Sequence, residues 1–377
     1  MKTLARYSAL ITSQVARPPS LAFGEAFAST GAERTLVRRA RGVAHAHRSG
    51  EKTKPKAKIG GRPHQMRRFI RARYGAILSL SLLTACGASF DPGYRVTSFR
   101  VLAVQADTPF AKPGDTVHLT SLSYDPQGRT VNWAWATCLN PSASTVEGCL
   151  AKINADSGAT GVSPIAAEGP GLDRFSYTVP SDALDALPAA ARPSALVGVL
   201  SVACPGDLSV ETGAADLPFR CTDPSSGRVL GGDEYVVGLK RISVRAVDRN
   251  QNPSIAKITF DGADWPEGEV KAVTACDTDG NEYAKCADST KHQIAAVVTP
   301  DSVESGTTEF GESFSEQVVV EYYATEGLFE NAVRLAESPE TGWAARSAAR
   351  GEELRIWFVV HDDRGGVTWL ERSVRVE

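Results

Sequence analysis

Beyond Val96 the chain is written in short apolar segments, each cut off by Gly, Pro, Asp or Asn. This rhythm is what most constrains the fold, because segments of that length suit strands better than helices that must bury a face. Thr116 to Tyr124 alternates Val117, Leu119, Ser121 and Ser123 against Thr116, His118, Thr120 and Leu122, and Val131, Trp133 and Trp135 share one side of the next segment. Turns at Lys112–Asp115 and Asp125–Gly128 frame the first of these. Further strands are predicted at 96–104, 175–179, 196–203 and 235–247. Past a polar, turn-rich stretch at Asp248–Pro253 the pattern restarts at 255–260, 270–275, 294–298, 317–325, 354–361 and 367–376. The last two flank Asp362–Gly366, a hairpin by its turn residues. Trp357 and Val359 alternate with Ile356, Phe358 and Val360, which predicts a strand buried on both faces.

The fold class is therefore all-β, two tandem sandwiches at 96–249 and 250–377. Each has about 130 to 150 residues, enough to bury a core of its own. The stretch from Cys138 to Phe175 exceeds a normal loop and predicts an insertion in the first sandwich. Leu184–Leu187 with Ala189–Ala191 predicts a helical turn or two. Strand candidates recur on both sides of the boundary, but no residue-level repeat is evident.

Charge is distributed unevenly. Residues 1–65 hold 13 Lys/Arg against Glu25, Glu33 and Glu51, whereas the chain from Cys86 onward holds 24 Lys/Arg against 41 Asp/Glu. The acidic body excludes phosphate-backbone binding by the folded part, so no nucleic-acid partner is expected there. Residues 1–65 lack apolar periodicity and read as a disordered basic extension. His45, His47 and His64 fall within it and give no metal signal.

Residues 66–85 decide the compartment. Arg67, Arg68, Arg71 and Arg73 precede an apolar run from Tyr74 to Leu83. As a helix that run rises only about 15 Å, half of a roughly 30 Å bilayer core, so it suits an export signal and not a span. Leu83, Thr84, Ala85 and Cys86 follow in order, and this tail resembles the lipobox of bacterial lipoproteins. The resemblance implies cleavage before Cys86, lipid on its thiol, and a short lipidated tether over 86–95. Several acyl chains, at roughly 0.8 kcal/mol per buried CH₂, anchor a protein where one does not. Gly87 in place of Asp implies the outer membrane, facing the periplasm or the cell surface. Because such signals act at the N-terminus, the reading adopted is that translation starts at Met66 and residues 1–65 are a misassigned start. The competing reading is a real basic arm or a transit peptide.

A second resemblance covers the opening strands. The Gly114-Asp115 turn, the strand after it, the Asp125-Pro126-x-Gly128 turn and the Val131-x-Trp133-x-Trp135 strand look like the start of immunoglobulin-like and PKD-like domains.

Seven cysteines fit an exported chain: Cys86 for lipid, and six for disulfides. Cys138 and Cys149, Cys204 and Cys221, and Cys276 and Cys286 are neighbours along the chain. Spacing does not fix connectivity. Local pairing is the simplest choice, each bridge removing roughly 3 kcal/mol of unfolded-chain entropy. The spacings do not suit zinc.

Catalytic motifs are missing: neither G-x-S-x-G, H-E-x-x-H, a phosphate loop nor a dinucleotide fingerprint occurs. His118, His292 and His361 lie far apart and read as structural. Asp277, Asp279 and Asn281, with Asp288 further on, imitate the opening of a calcium loop. The sixth and twelfth positions are Glu282 and Asp288, where an EF-hand needs Gly and Glu, so the preferred reading is a turn with solvated acids and calcium is a weak candidate. Trp133 and Trp135 suit either core packing or a sugar-stacking platform, with core favoured for at least one. The expectation is a non-enzymatic lipoprotein without cofactor, a structural or interaction module of the cell envelope with an envelope protein or polysaccharide partner. The alternative is a lipoprotein that binds or hydrolyses envelope polysaccharide.

Overall fold

The computed structural model describes residues 92–160, 165–210, 219–278 and 280–377. Cys86, the signal at 66–85 and the extension at 1–65 lie outside the described residues.

The first sandwich takes its strands where the alternation places them. β1 (Arg100–Ala106), β3 (Thr116–Tyr124) and β6 (Arg174–Thr178) form one sheet, in the order β1-β3-β6. The facing sheet runs β2 (Phe110–Ala111), β10 (Val236–Val244), β7 (Leu196–Cys204), β4 (Asn132–Leu139), β5 (Ile165–Pro170). Val117, Leu119, Trp133, Trp135, Val197, Val199 and Ile242 meet between them as the core. The predicted insertion contains helix α1 (Val146–Thr160). Together with the hairpin β8 (Asp207–Val210) and β9 (Phe219–Thr222), α1 covers the outer face of β4 and β7. There Ala134, Ala136, Leu200 and Val202 pack on Cys149, Ile153 and Phe219. That cover explains why β4 and β7 are apolar on both faces.

The second sandwich repeats the plan. One sheet runs β12 (Ala263–Asp264), β11 (Ile255–Phe260), β14 (His292–Val298), β20 (Thr341–Ala344), β18 (Leu328–Phe329). The other runs β13 (Val270–Val273), β22 (Val367–Val376), β21 (Glu353–Asp362), β17 (Val318–Ala324), β19 (Val333–Leu335). A small hairpin, β15 (Ser305–Thr307) and β16 (Ser313–Ser315), projects beside it. In both sandwiches a short early strand pairs parallel with the last strand, β2 with β10 and β13 with β22. The last two long strands and the third then follow in the same order, so the immunoglobulin-like topology is duplicated although the residues are not. Phe260, Trp265, Ile294, Tyr322, Trp343 and Phe358 fill the second core.

One boundary differs from the sequence reading. The tether expected at 86–95 does not stay free to its end. Arg95 bridges Ala324 in parallel, Val96 donates to the Ala324 carbonyl, and the Ala324 N–H donates to the Tyr94 carbonyl. Tyr94 sets its ring edge-on to Phe329 at 5.0 Å, and Arg95 is buried beside Glu326 and Asn281. Residues 94–96 are thus a strap on the second sandwich, and the first begins only after them. The strand predicted from Val96 starts at Arg100, with Val96 and Phe99 already buried.

The stretch at 248–253 lies between the two sandwiches, where the boundary was expected, and is tied to both. Asn250 is buried and donates to Asp362, while Asn252 donates to the Ala106 carbonyl and accepts from the Val367 N–H. The Asn252 side chain thus satisfies a backbone group of each sandwich.

Candidate functional site

The six predicted disulfide cysteines form Cys138–Cys149, Cys204–Cys221 and Cys276–Cys286, with Cα separations of 5.4, 5.7 and 5.3 Å. The first staples α1 to β4 and crosses over Gly198, where an added Cβ would lie 2.6 Å from the Cys138 sulfur. The second ties the β8–β9 hairpin to the end of β7, over Leu230. The third closes the loop that held the calcium candidates.

In that loop the described oxygens diverge. Asp277 pairs with Arg350 at 2.5 Å, Asn281 accepts from Arg95 at 2.9 Å, and Asp288 pairs with Lys291 at 3.0 Å. Asp279 lies outside the described residues. Each described side chain serves a different cation of the protein, and among the described residues no group of three His, Cys, Asp or Glu converges on a metal position.

Trp133 and Trp135 are 2% and 0% exposed and stack on each other at 5.6 Å, with Phe175 continuing the stack. Both belong to the core, so neither offers a face to a sugar. The Trp135 indole N–H is satisfied by the Leu172 carbonyl. The histidines remain apart: His118 meets Ser176, His292 meets Asp261, and His361 lies 3.5 Å from Glu321. A cleft beside the third disulfide is lined by Asn281, Tyr283, Lys291, Phe329 and Glu330. Lys291 already sits over the Tyr283 ring at 5.3 Å, and the hydroxyl end of that ring is wedged against Gly342.

A dense polar constellation that the sequence reading missed lies at the junction of the sandwiches. Arg364, in the β21–β22 turn, lies 4.6 Å from the centroid of Phe110 and 3.9 Å from that of Phe314. Arg245 lies over the other end of the stack, 5.3 Å from Phe110 and 5.7 Å from Phe310. Arg364 also pairs with Glu316 at 2.9 Å and donates to the Arg249 carbonyl. Burial raises the Glu316 carboxyl, and the Glu304 N–H and Arg364 do not fully offset it. Glu309 accepts the N–H groups of Ala246, Val247 and Asp248. Burial works against its charge, but those donors hold the carboxyl below its ordinary range. Lys240 reaches across to the Gly365 carbonyl at 2.7 Å, and burial pushes its ammonium down to about 8, against the pull of Asp362.

Between this cluster and the strap, the outer faces of two sheets meet. Tyr124 packs on Trp357 at 4.9 Å, Arg355 lies over Tyr124, and Gln105 donates to the Val367 carbonyl. β1 runs alongside β22. The interface is therefore clamped at three levels, by the strap, the sheet faces and the arginine–aromatic stack. Its arginines and aromatics are scattered from 110 to 364, so no local spacing announces them. A signal existed only in residues bordering predicted turns.

No family model matches the chain, and no curated protein matches it. Among solved structures it is similar to the "D0-D1 domain of Intimin", with 13% identity over 73% of this chain and 98% of that one, at a TM-score of 0.18.

Proposed function

We propose that the protein is a membrane-anchored, non-enzymatic interaction module of the cell envelope, held by lipid on Cys86. The observation that supports the interaction-module part of this reading is the rigid build of the body. Residues 94–96 form a strap on a pair of immunoglobulin-like sandwiches that are clamped together at three levels and stapled by disulfides. A body of that kind suits holding a surface in place, since rigid association loses less entropy when a partner binds. The three disulfides suit an oxidising compartment. The polysaccharide alternative loses its aromatic platform, because Trp133 and Trp135 are core residues and Tyr283 is covered by Lys291.

The test is intact-mass analysis of protein extracted from membranes, beside a Cys86→Ser variant. A mature chain beginning at acylated Cys86, and a variant that lacks acyl mass and leaves the membrane fraction, are the expected results. Wild-type protein without acyl mass would overturn the anchor.

A further inference from the structure

We propose that the open edge of β6 (Arg174–Thr178) pairs antiparallel with the same strand of a second copy of this chain, joining two three-stranded sheets across a two-fold axis at Ser176. The partner is thus the protein itself, and the pairing does not depend on the lipid anchor.

A sheet edge carries unpaired N–H and C=O groups, and folds blunt such edges by keeping them short or by placing Pro, Lys or a bulge there. Most edges of the two sandwiches are treated in this way. β2, β12 and β18 have two residues each and β19 has three. β5 ends in Gly169-Pro170, and its pairing with β4 shifts register at Trp135. β13 carries Lys271. β1 is covered by the second sandwich, where Gln105 donates to the Val367 carbonyl. β6 has none of these devices. It offers five residues without Pro, Lys or a register shift, and among the described residues no strand pairs on its far side.

Bonding to β3 uses only alternate residues of β6. The Val179 N–H donates to the Asp115 carbonyl and the Ser121 N–H to the Asp173 carbonyl. Between these two, the bonded pairs are therefore Val117 with Tyr177 and Leu119 with Phe175. The N–H and C=O groups of Arg174, Ser176 and Thr178 are left pointing to the open edge. An axis at Ser176 sets that residue opposite its own copy, Arg174 opposite Thr178, and Phe175 opposite Tyr177. Every outward donor then meets a carbonyl. The one charge of the strand faces a hydroxyl and not another arginine, and the half-buried rings of Phe175 and Tyr177 meet across the seam, a cross-strand pair that stabilises sheets. Moving the axis by one residue sets Thr178 opposite Leu172 in the turn, or Arg174 opposite Pro180, which has no N–H to give. A seam this short buries less than the roughly 1,200 Å² of a stable complex, so the dimer belongs to the weak, concentration-dependent class.

The experiment is sedimentation equilibrium of the full chain in detergent, up to millimolar chain concentration, beside Ser176→Lys. That side chain is exposed, and its loss from the fold removes only the contact of its hydroxyl with His118. A two-chain mass should build up with concentration. Ser176→Lys sets two ammonium groups face to face at the axis and should weaken the dimer at least about tenfold. A single-chain mass at every concentration, or a dimer as strong in Ser176→Lys, overturns the pairing. Cross-linking reads the register. Bonded residues facing each other have Cα atoms about 5.5 Å apart, within reach of a disulfide. The two copies of residue 174 stand four strand steps apart, about 13 Å. Mild oxidation should therefore link Ser176→Cys chains several-fold more than Arg174→Cys chains, and equal yields, or more at 174, overturn the axis at Ser176. Should Ser176→Lys fail to accumulate, the mass of the parent chain and the two cysteine yields decide. Acyl mass on Cys86, measured on the same samples, reads the anchor separately.

Discussion

Arg364 occupies a turn, yet its guanidinium is shared by two aromatic rings, a buried carboxylate and a backbone carbonyl. Removing it leaves Glu316, whose side chain is nearly inaccessible, without a counter-charge. Loss of one partner of such a pair costs roughly 3 kcal/mol or more. Arg364→Ala should therefore shift the urea midpoint down clearly. Arg364→Lys should fall between, since an ammonium keeps the charge but not the flat stacking surface. Parent-like midpoints for both variants would show that the stack contributes nothing. His361 gives a prediction in pH. Burial would lower its imidazole, but the Glu321 carboxylate and then Asp362 raise it above its ordinary value. A histidine raised in the fold contributes stability that is complete below its unfolded pKa, about 6.5, and is lost as pH rises through the folded value. Its ring resonances should titrate with a midpoint above 6.5, and Glu321→Gln should bring that midpoint down. An unmoved midpoint would separate the two side chains.

At the scale of elements, the alternation of apolar and polar residues made most strands legible, because the two-residue period survives in any sheet with one buried face. Thr116–Tyr124 lies where that period places it, whereas Glu353–Asp362, buried on both faces, was legible as a short apolar run ending in a turn. The insertion was legible as excess length, but its role was not. Nothing local in Val146–Thr160 says that it will roof β4, to which the Cys138–Cys149 bridge and the packing of Ile153 tie it. Gly198 marks that crossing. Gly198→Ala should press on the Cys138 sulfur and destabilise by roughly 1–3 kcal/mol, with more free thiol at 138 and 149 by alkylation. Full oxidation and unchanged melting would mean that the strand yields easily. The strap escaped the sequence reading because Asp91-Pro92-Gly93 looks like any tether. Tyr94 and Arg95 become structural only through Ala324, Phe329 and Glu326, far along the chain.

For the molecule as a whole, the sequence suggested two sandwiches able to fold alone. The cores are indeed separate clusters, but the second sandwich takes a strap from upstream of the first and shares three levels of interface with it. Calorimetry should accordingly give one cooperative transition, with calorimetric and van't Hoff enthalpies in agreement. Fragment 250–377 should be less stable than the same sandwich in the intact chain, because Phe329 loses Tyr94 and Ala324 loses its backbone partners. Two well-separated transitions in the parent protein, or a fragment as stable as the whole, would restore the independent-domain view.

The strap also sets an order in time. When a chain crosses a membrane or leaves a ribosome from its N-terminus, Tyr94–Val96 emerges early, whereas β17, on which it docks, comes out only after the whole first sandwich. Closing that contact waits for late synthesis and must bring distant residues together, a slow kind of step. Until then the leading segment is unpaired while the first sandwich can already be taking shape. A segment from upstream of the first sandwich therefore waits on a strand from the second.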